Sequence, residues 1–270
     1  MSKIGKLLKA LKLIAAQPSM LNHIIDDNEV WKKYVAKKYG FEKGLPVVEL
    51  KDLFGTFDTE IPAFAFLDGG SLPTDIALLM NLAKQIENCS YFEIGTWRGE
   101  SVVNVAETAK ECTTLNLPDD QMRSIGMSEE YISQTAYFSK GKPNITHIRG
   151  NSRYFDFAGL NRKYDLIFID GDHHYEMVKN DTEKVFAHLV HDDSVVVWHD
   201  YACNPETTRF EVFAGILDGL DPRHHQHLYH AGNTLSAVYT KKQFPAHTLQ
   251  NPTVPDHKFR VRLEWEDYIG

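Results

Sequence analysis

The segment DLIFIDGDHHYE, residues 165–176, sets an apolar run, Leu166 to Ile169, directly before Asp170, Asp172, His173 and His174. A half-buried strand would alternate apolar and polar residues. This run does not, so both of its faces are covered, as in a central strand of a parallel sheet. SVVVWHD, residues 194–200, repeats the plan, with Val195 to Trp198 followed by His199 and Asp200. Neighbouring strands of a sheet lie ~5 Å apart, so the polar ends of two such strands can meet at one point.

Outward from these strands, helical and extended patterns alternate. LPTDIALLMNLAKQI (72–86), ESVVNVAETAK (100–110), EMVKNDTEKVFAHL (176–189) and TTRFEVFAGILDGL (207–220) have helical periodicity, and SYFEIG (90–95), CTTLNL (112–117) and NITHIRG (144–150) read as strands. The alternation predicts an α/β doubly wound, mostly parallel sheet. HLYHAGN (227–233) and LSAVYTK (235–241) flank a Gly-Asn turn signal, which predicts an antiparallel hairpin at one sheet edge. In KFRVRLEWE (258–266), Phe259, Val261, Leu263 and Trp265 alternate with charges, the pattern of a half-buried strand. Residues 118–143 form an insertion whose SEEYISQTAYFS (128–139) predicts a helix over the sheet's C-terminal edge. The expected organisation is a helical and irregular N-terminal extension over 1–71, a core domain over 72–245 and a tail over 246–270.

Composition narrows the partners. A net charge of −8 leaves no basic footprint for nucleic acid, and 43% apolar residues suffice for a full core. Cys89, Cys112 and Cys203 are odd in number and widely spaced, which points to a reducing, cytoplasmic setting. At the N-terminus Lys3, Lys6, Lys9 and Lys12 interleave with Ile4, Leu7, Leu8, Leu11 and Ile14, a basic amphipathic helix. Such a helix could rest on an anionic membrane; base rates favour one docked on its own domain or on a sister subunit of a homo-oligomer.

YFEIGTWRGES (91–101) ends a strand, turns through Gly95 and Gly99, and opens a helix whose free N–H groups favour a polar or anionic ligand. A phosphate-binding loop would place Lys-Ser/Thr after the last glycine, where Glu100 stands. A dinucleotide fingerprint would place glycines where Trp97 and Glu100 stand. What remains is an acid, Glu93, with Thr96 and Ser101, suited to a ligand that carries both an ammonium and a carboxylate.

FEIGTWRGES, FIDGDHHYE and VVVWHDY, in this order, resemble the class I S-adenosylmethionine-dependent methyltransferases over roughly residues 72–240, in particular the metal-assisted O-methyltransferases of the catechol and caffeoyl-CoA type and those acting on macrolide sugars. The resemblance implies a seven-stranded Rossmann-like sheet. It implies that Glu93, Gly95, Thr96, Gly99 and Ser101 surround the methionine part of S-adenosylmethionine. It also implies that Asn116 meets the ribose where an acid is usual, that Asn151 and Ser152 meet the adenine, and that Asp170 adjoins the cofactor. Asp170, His199 and Asp200 would hold Mg or another divalent metal, and His173, three residues after Asp170, would be the catalytic base. Two carboxylates suit Mg²⁺, whereas a nitrogen ligand at 199 tilts the preference toward Mn²⁺, Fe²⁺ or Zn²⁺.

The activity implied is O-methylation of a small-molecule or sugar hydroxyl, with Tyr201 an acceptor contact. Bland roles stand beside these. Asp172, His174 and Glu176 suit capping of the next helix, the two asparagines suit ordinary turns, His199 could be a packed histidine, and RHHQH (223–227) suits a solvated loop. Two other functions remain open: a metal-dependent phosphohydrolase, suggested by DHH (172–174) and HD (199–200), and a non-catalytic S-adenosylmethionine-binding protein.

Overall fold

The structure is a computed structural model that describes residues 2–18, 27–67 and 70–261. The helices are α1 (Lys3–Ala16), α2 (Asn28–Tyr39), α3 (Leu50–Phe54), α4 (Pro73–Lys84), α5 (Glu100–Val105), α6 (Asp119–Ser124), α7 (Glu129–Ser133), α8 (Tyr175–His188) and α9 (Phe210–Gly219). The strands are β1 (Pro46–Val48), β2 (Ser90–Ile94), β3 (Glu111–Asn116), β4 (Ile145–Arg149), β5 (Leu166–Ile169), β6 (Val195–Trp198), β7 (Ala202–Asn204), β8 (Thr207–Thr208), β9 (Leu228–Ala231), β10 (Ala237–Tyr239) and β11 (His247–Thr248).

One nine-stranded sheet runs β11-β1-β9-β10-β6-β5-β2-β3-β4, and β7 and β8 form a separate small ribbon. β2 to β6 are mutually parallel neighbours. From β2 the chain winds outward through β3 and β4, then returns to β5 on the other side of β2. The strand order therefore reverses between β2 and β5, and a crevice opens beyond the C-terminal ends of strands at such a point.

The unbroken apolar runs behave as expected of strands with two covered faces. On β5, Ile167 and Ile169 pack with α8 and α9 residues such as Val178, Val185 and Phe213. The alternate residues Leu166 and Phe168 pack with Leu78, Leu82, Val102 and Val105 from α4 and α5. On β6, Trp198 is fully buried, and its indole N–H donates to Thr182 Oγ1 at 2.9 Å, so no polar atom of that ring is stranded in the core.

The predicted hairpin is present, with β9 antiparallel to β10 and β10 antiparallel to β6. The sheet has two strands more than the resemblance implied. Residues 1–71 were expected to be helical or irregular, yet they supply β1, which pairs parallel with β9, and β11 of the tail then pairs with β1. β1 is only three residues long, too short for alternation to reveal it. The half-buried strand expected over 258–266 is a correction: residues 258–261 are not extended in any sheet, and Phe259 is held by Phe57 across 6.2 Å between ring centroids. Residues 262–266 of that stretch lie outside the described residues. In the insertion, the helix expected over 128–139 is the short α7, followed by turns. All three cysteines are free, and no helix among the described residues is long and apolar enough to cross a membrane.

Candidate active site

Backbone hydrogen bonds stitch the strand ends at the reversal point. Asp170 N donates to Ile94 O at 2.8 Å, Gly95 N to Leu115 O at 2.9 Å and His199 N to Ile169 O at 3.1 Å. The residues that follow β2, β5 and β6 are thus fixed side by side. Gly95, at φ +91°, could carry no side chain: a Cβ there would lie 2.0 Å from the carbonyl oxygen of Asp170. Glycine at this position lets the neighbouring strand end approach closely. Gly99, at φ +90°, is likewise filled, by Ser139 of the insertion, whose Oγ would stand 2.3 Å from a Cβ.

Glu93 is fully buried, and one carboxylate oxygen, Oε2, accepts from Tyr91 Oη at 2.6 Å and Ser101 Oγ at 2.7 Å. Its other oxygen, Oε1, has no hydrogen-bond partner, and neither has Thr96 Oγ1. Burial pushes the Glu93 carboxyl up to about 8 against the pull of the two hydroxyls. A cationic ligand group at Oε1 would satisfy both the vacant oxygen and the charge, so the donor set fits an ammonium-bearing cofactor.

Asn116 ends β3 and accepts from Thr96 N at 3.1 Å, which makes it a brace for the glycine loop. Asn151 makes an ordinary turn, accepting from Arg153 N at 3.0 Å, and its amide reaches Gln121 of the insertion at 3.0 Å. The Ser152 hydroxyl binds the Asp181 carboxylate. The insertion therefore touches both the Asn151 turn and the glycine loop. Phe138 N donates to Arg98 O at 2.9 Å, and the Tyr131 ring stacks on Trp97 at 5.6 Å.

Beyond β5 and β6, Asp170, His199 and Asp200 each offer a ligand atom within 4.8 Å of the others. His199 Nδ1 lies 3.2 Å from Asp170 Oδ1 and 3.4 Å from Asp200 Oδ2, and Nε2 lies 3.8 Å from Asp75 Oδ2. Neither ring nitrogen has a hydrogen bond of acceptable geometry. Burial alone would hold His199 below its ordinary pKa, but the carboxylates of Asp170, Asp200 and Asp75 overcome this and raise it well above. Burial pushes Asp170 up, against the pull of His199. For Asp200 burial works upward too, but His199 and Arg209 outweigh it and bring the carboxyl down to about 2. Two acids and a buried imidazole with poorly directed nitrogens are a donor set that fits a divalent cation.

His173 lines the same shallow hollow as Asp170, His199 and Asp200, with Trp198 and Val212 among its apolar lining. Its exposed ring stacks on His174 at 5.1 Å. Asp172 accepts from His174 N at 2.8 Å, a turn just before α8, whose first residue has no side-chain cap of the kind expected from Asp172, His174 or Glu176. Tyr201, expected as an acceptor contact, lies in the core. It is fully buried, and its hydroxyl accepts from Leu45 N at 2.8 Å, so it fastens the N-terminal extension. The RHHQH run is a short 3₁₀ helix packed by His224 Nδ1 on Tyr239 Oη at 2.9 Å. The His199-Asp200 pair follows a strand rather than lying on a helix, which removes the basis for a helical HD phosphohydrolase site.

Two residues join the site without a local signal. Asp75 of α4 accepts from Leu235 N and Ser236 Oγ, both at 2.8 Å, and stands behind His199. Arg209 NH1 holds Asp200 Oδ1 at 3.1 Å from the start of α9. Asp75 reads in sequence as a helix-capping acid, which it also is, accepting from Leu72 N at 2.9 Å.

Residues 92–201 match the family described as "Methyltransferase domain". The strand order and the antiparallel hairpin make a Rossmann-like α/β fold with a mixed, mostly parallel sheet. The chain is 30% identical over 132 residues to an uncharacterized protein of Acanthamoeba polyphaga mimivirus, a match covering 46% of this chain and 58% of that protein, little more than half its length. Among solved structures it is similar to the O-methyltransferase from Bacillus cereus in complex with SAH (14% identity, TM-score 0.46, 79% of this chain and 99% of that one). It is also similar to a SAH-bound methyltransferase of Podospora anserina (13% identity, TM-score 0.42, 87% of this chain and 96% of that one).

Proposed function

We propose that the protein transfers the methyl group of S-adenosylmethionine to a hydroxyl of a small molecule or sugar, assisted by a divalent metal. The observation that carries this reading is the convergence of Asp170, His199 and Asp200 at one point beside the glycine loop. The cofactor supplies an electrophilic methyl group, and a divalent cation held by these three residues would lower the pKa of an acceptor hydroxyl.

The remaining work belongs to the chain. Glu93, Thr96 and Ser101 bind the polar end of the cofactor from beneath. Asn116 and the insertion hold the loop in shape, since Asn116 accepts from Thr96 N and Tyr131 stacks on Trp97. His173, on the exposed turn at the mouth of the hollow, accepts the hydroxyl proton; an imidazole is suited to this near neutral pH. Arg209 keeps Asp200 directed at the site. Catalysis then rests chiefly on alignment of oxygen, methyl and sulfur.

The test is a turnover screen on hydroxylated sugars and catechols with added Mg²⁺ or Mn²⁺, beside calorimetry with S-adenosylhomocysteine. His173→Ala is expected to lower turnover by about 100-fold or more while binding S-adenosylhomocysteine as the unaltered protein does. Chelation of the metal is expected to abolish turnover and leave cofactor binding in place. Full turnover in His173→Ala would remove the base, and cofactor binding with no turnover on any acceptor would make the protein a binder.

A further inference from the structure

Helix α1 is amphipathic, and no part of the described chain covers it. None of its residues is buried, and Ile4, Leu7, Leu8 and Leu11 are 71%, 59%, 61% and 54% exposed. At 3.6 residues per turn these four fall on one stripe with Ile14 and Ala15. Lys3 and Lys12 border that stripe on either side, and Lys6 and Lys9 lie opposite. A helix of fourteen residues is marginal in water by itself. An apolar surface against its stripe is what would hold it.

The charges select among possible surfaces. The helix carries four lysines and no acid, in a chain whose net charge is −8, so the rest of the molecule is more acidic still. Pairing of two α1 helices would bring lysines together without compensation. A surface that is apolar a few ångströms down and negative at its face matches both sides of the helix at once, and the bordering lysines can lay their methylene stems along the apolar layer and keep their ammonium groups at the charged one.

We propose that α1 is a docking element for an anionic phospholipid bilayer, lying in the plane of the headgroups with Ile4, Leu7, Leu8, Leu11 and Ile14 inserted and the bordering Lys3 and Lys12 among the lipid phosphates. It holds the methyltransferase fold at a membrane surface without spanning the bilayer. The inference stands apart from the catalytic reading, because it uses none of the residues at the β5 and β6 ends.

The experiment is co-sedimentation of the full chain with vesicles of phosphatidylcholine containing phosphatidylserine and with vesicles of phosphatidylcholine alone. Binding is expected to the first and to be at least tenfold weaker to the second, and to fall as salt rises. Each lysine near such a surface is worth about a fivefold change in binding, so Lys3→Glu with Lys12→Glu should reduce binding by more than tenfold. Leu7→Asp with Leu11→Asp should do the same. Both double variants should keep the native thermal midpoint, because no side chain of α1 is buried. Absence of binding to the anionic vesicles, equal binding to both kinds, or binding that survives both variants overturns the proposal. So does a sedimentation-velocity result in which the unaltered chain is a dimer and Leu7→Asp with Leu11→Asp makes it a monomer, for then a second copy covers the stripe.

Discussion

Asp181 shows what one buried polar atom can do to stability. It lies on α8 with 1% of its surface exposed, accepting from the Asn180 amide at 2.8 Å and from the Ser152 hydroxyl. Burial pushes its carboxyl up to about 6, against the pull of these donors and of Lys184. A raised acid binds its proton more tightly in the folded chain than in the unfolded one. Its contribution to stability is therefore greatest below the unfolded pKa near 4 and is lost as pH rises through about 6. Asp181→Asn keeps an acceptor for both donors and removes the charge. By thermal or urea denaturation it should be more stable than the unaltered protein by about 2 kcal/mol at pH 8, with no advantage near pH 4. A variant equally stable at both pH values would show that Asp181 stays solvated. Asp170, Asp200 and Glu93 were legible in the sequence because each sits at or just past a strand end and the strand period says where it points. Asp181 and Asp75 were not, since an acid on a helix reads as a surface or capping residue until the face opposite it is known.

The glycine loop, as an element, was legible in the sequence, and the contacts over its two glycines were not. Its strand, its turn and the start of α5 follow from local pattern, but what fills the space over Gly95 and Gly99 is chain distant in sequence. Gly95→Ala would drive a Cβ into the Asp170 carbonyl oxygen at 2.0 Å and would hold a non-glycine residue at φ +91°. The cost should exceed about 2 kcal/mol, visible as a lower urea midpoint together with loss of S-adenosylhomocysteine binding. An unchanged midpoint would mean that β2 and β5 need not meet so closely. The insertion makes the same point. Its α7 is one short helix, and its placement is decided by Trp97 stacking on Tyr131 and by Ser139 seated over Gly99 rather than by any periodicity of its own.

At the scale of the whole molecule, α2 and β1 of the N-terminal extension pack on the core domain. β1 joins the sheet beside β9, and Asp218 of α9 accepts from Tyr34 Oη at 2.5 Å, Lys38 Nζ at 2.6 Å, Tyr175 Oη at 2.7 Å and the Tyr39 hydroxyl. Those donors outweigh burial and hold the Asp218 carboxyl far below the carboxylate range. Tyr201 adds a second weld through Leu45 N. Tyr201→Phe should leave that buried N–H unsatisfied and cost about 1–3 kcal/mol, measured by urea denaturation, with no change in the KM for an acceptor. A raised KM at unchanged stability would return Tyr201 to the site. The sequence by itself determined the central strands, the doubly wound order, the terminal hairpin and the acids at the strand ends, because those depend on hydrophobic period and on where a strand stops. Only the tertiary structure decided that Tyr201 faces the core, that Asp75 and Arg209 stand around His199 and Asp200, that Ser139 closes the glycine loop and that β1 enters the sheet. Each of these is a contact between residues far apart along the chain, and no local period records which partner will meet a given polar atom once both are buried.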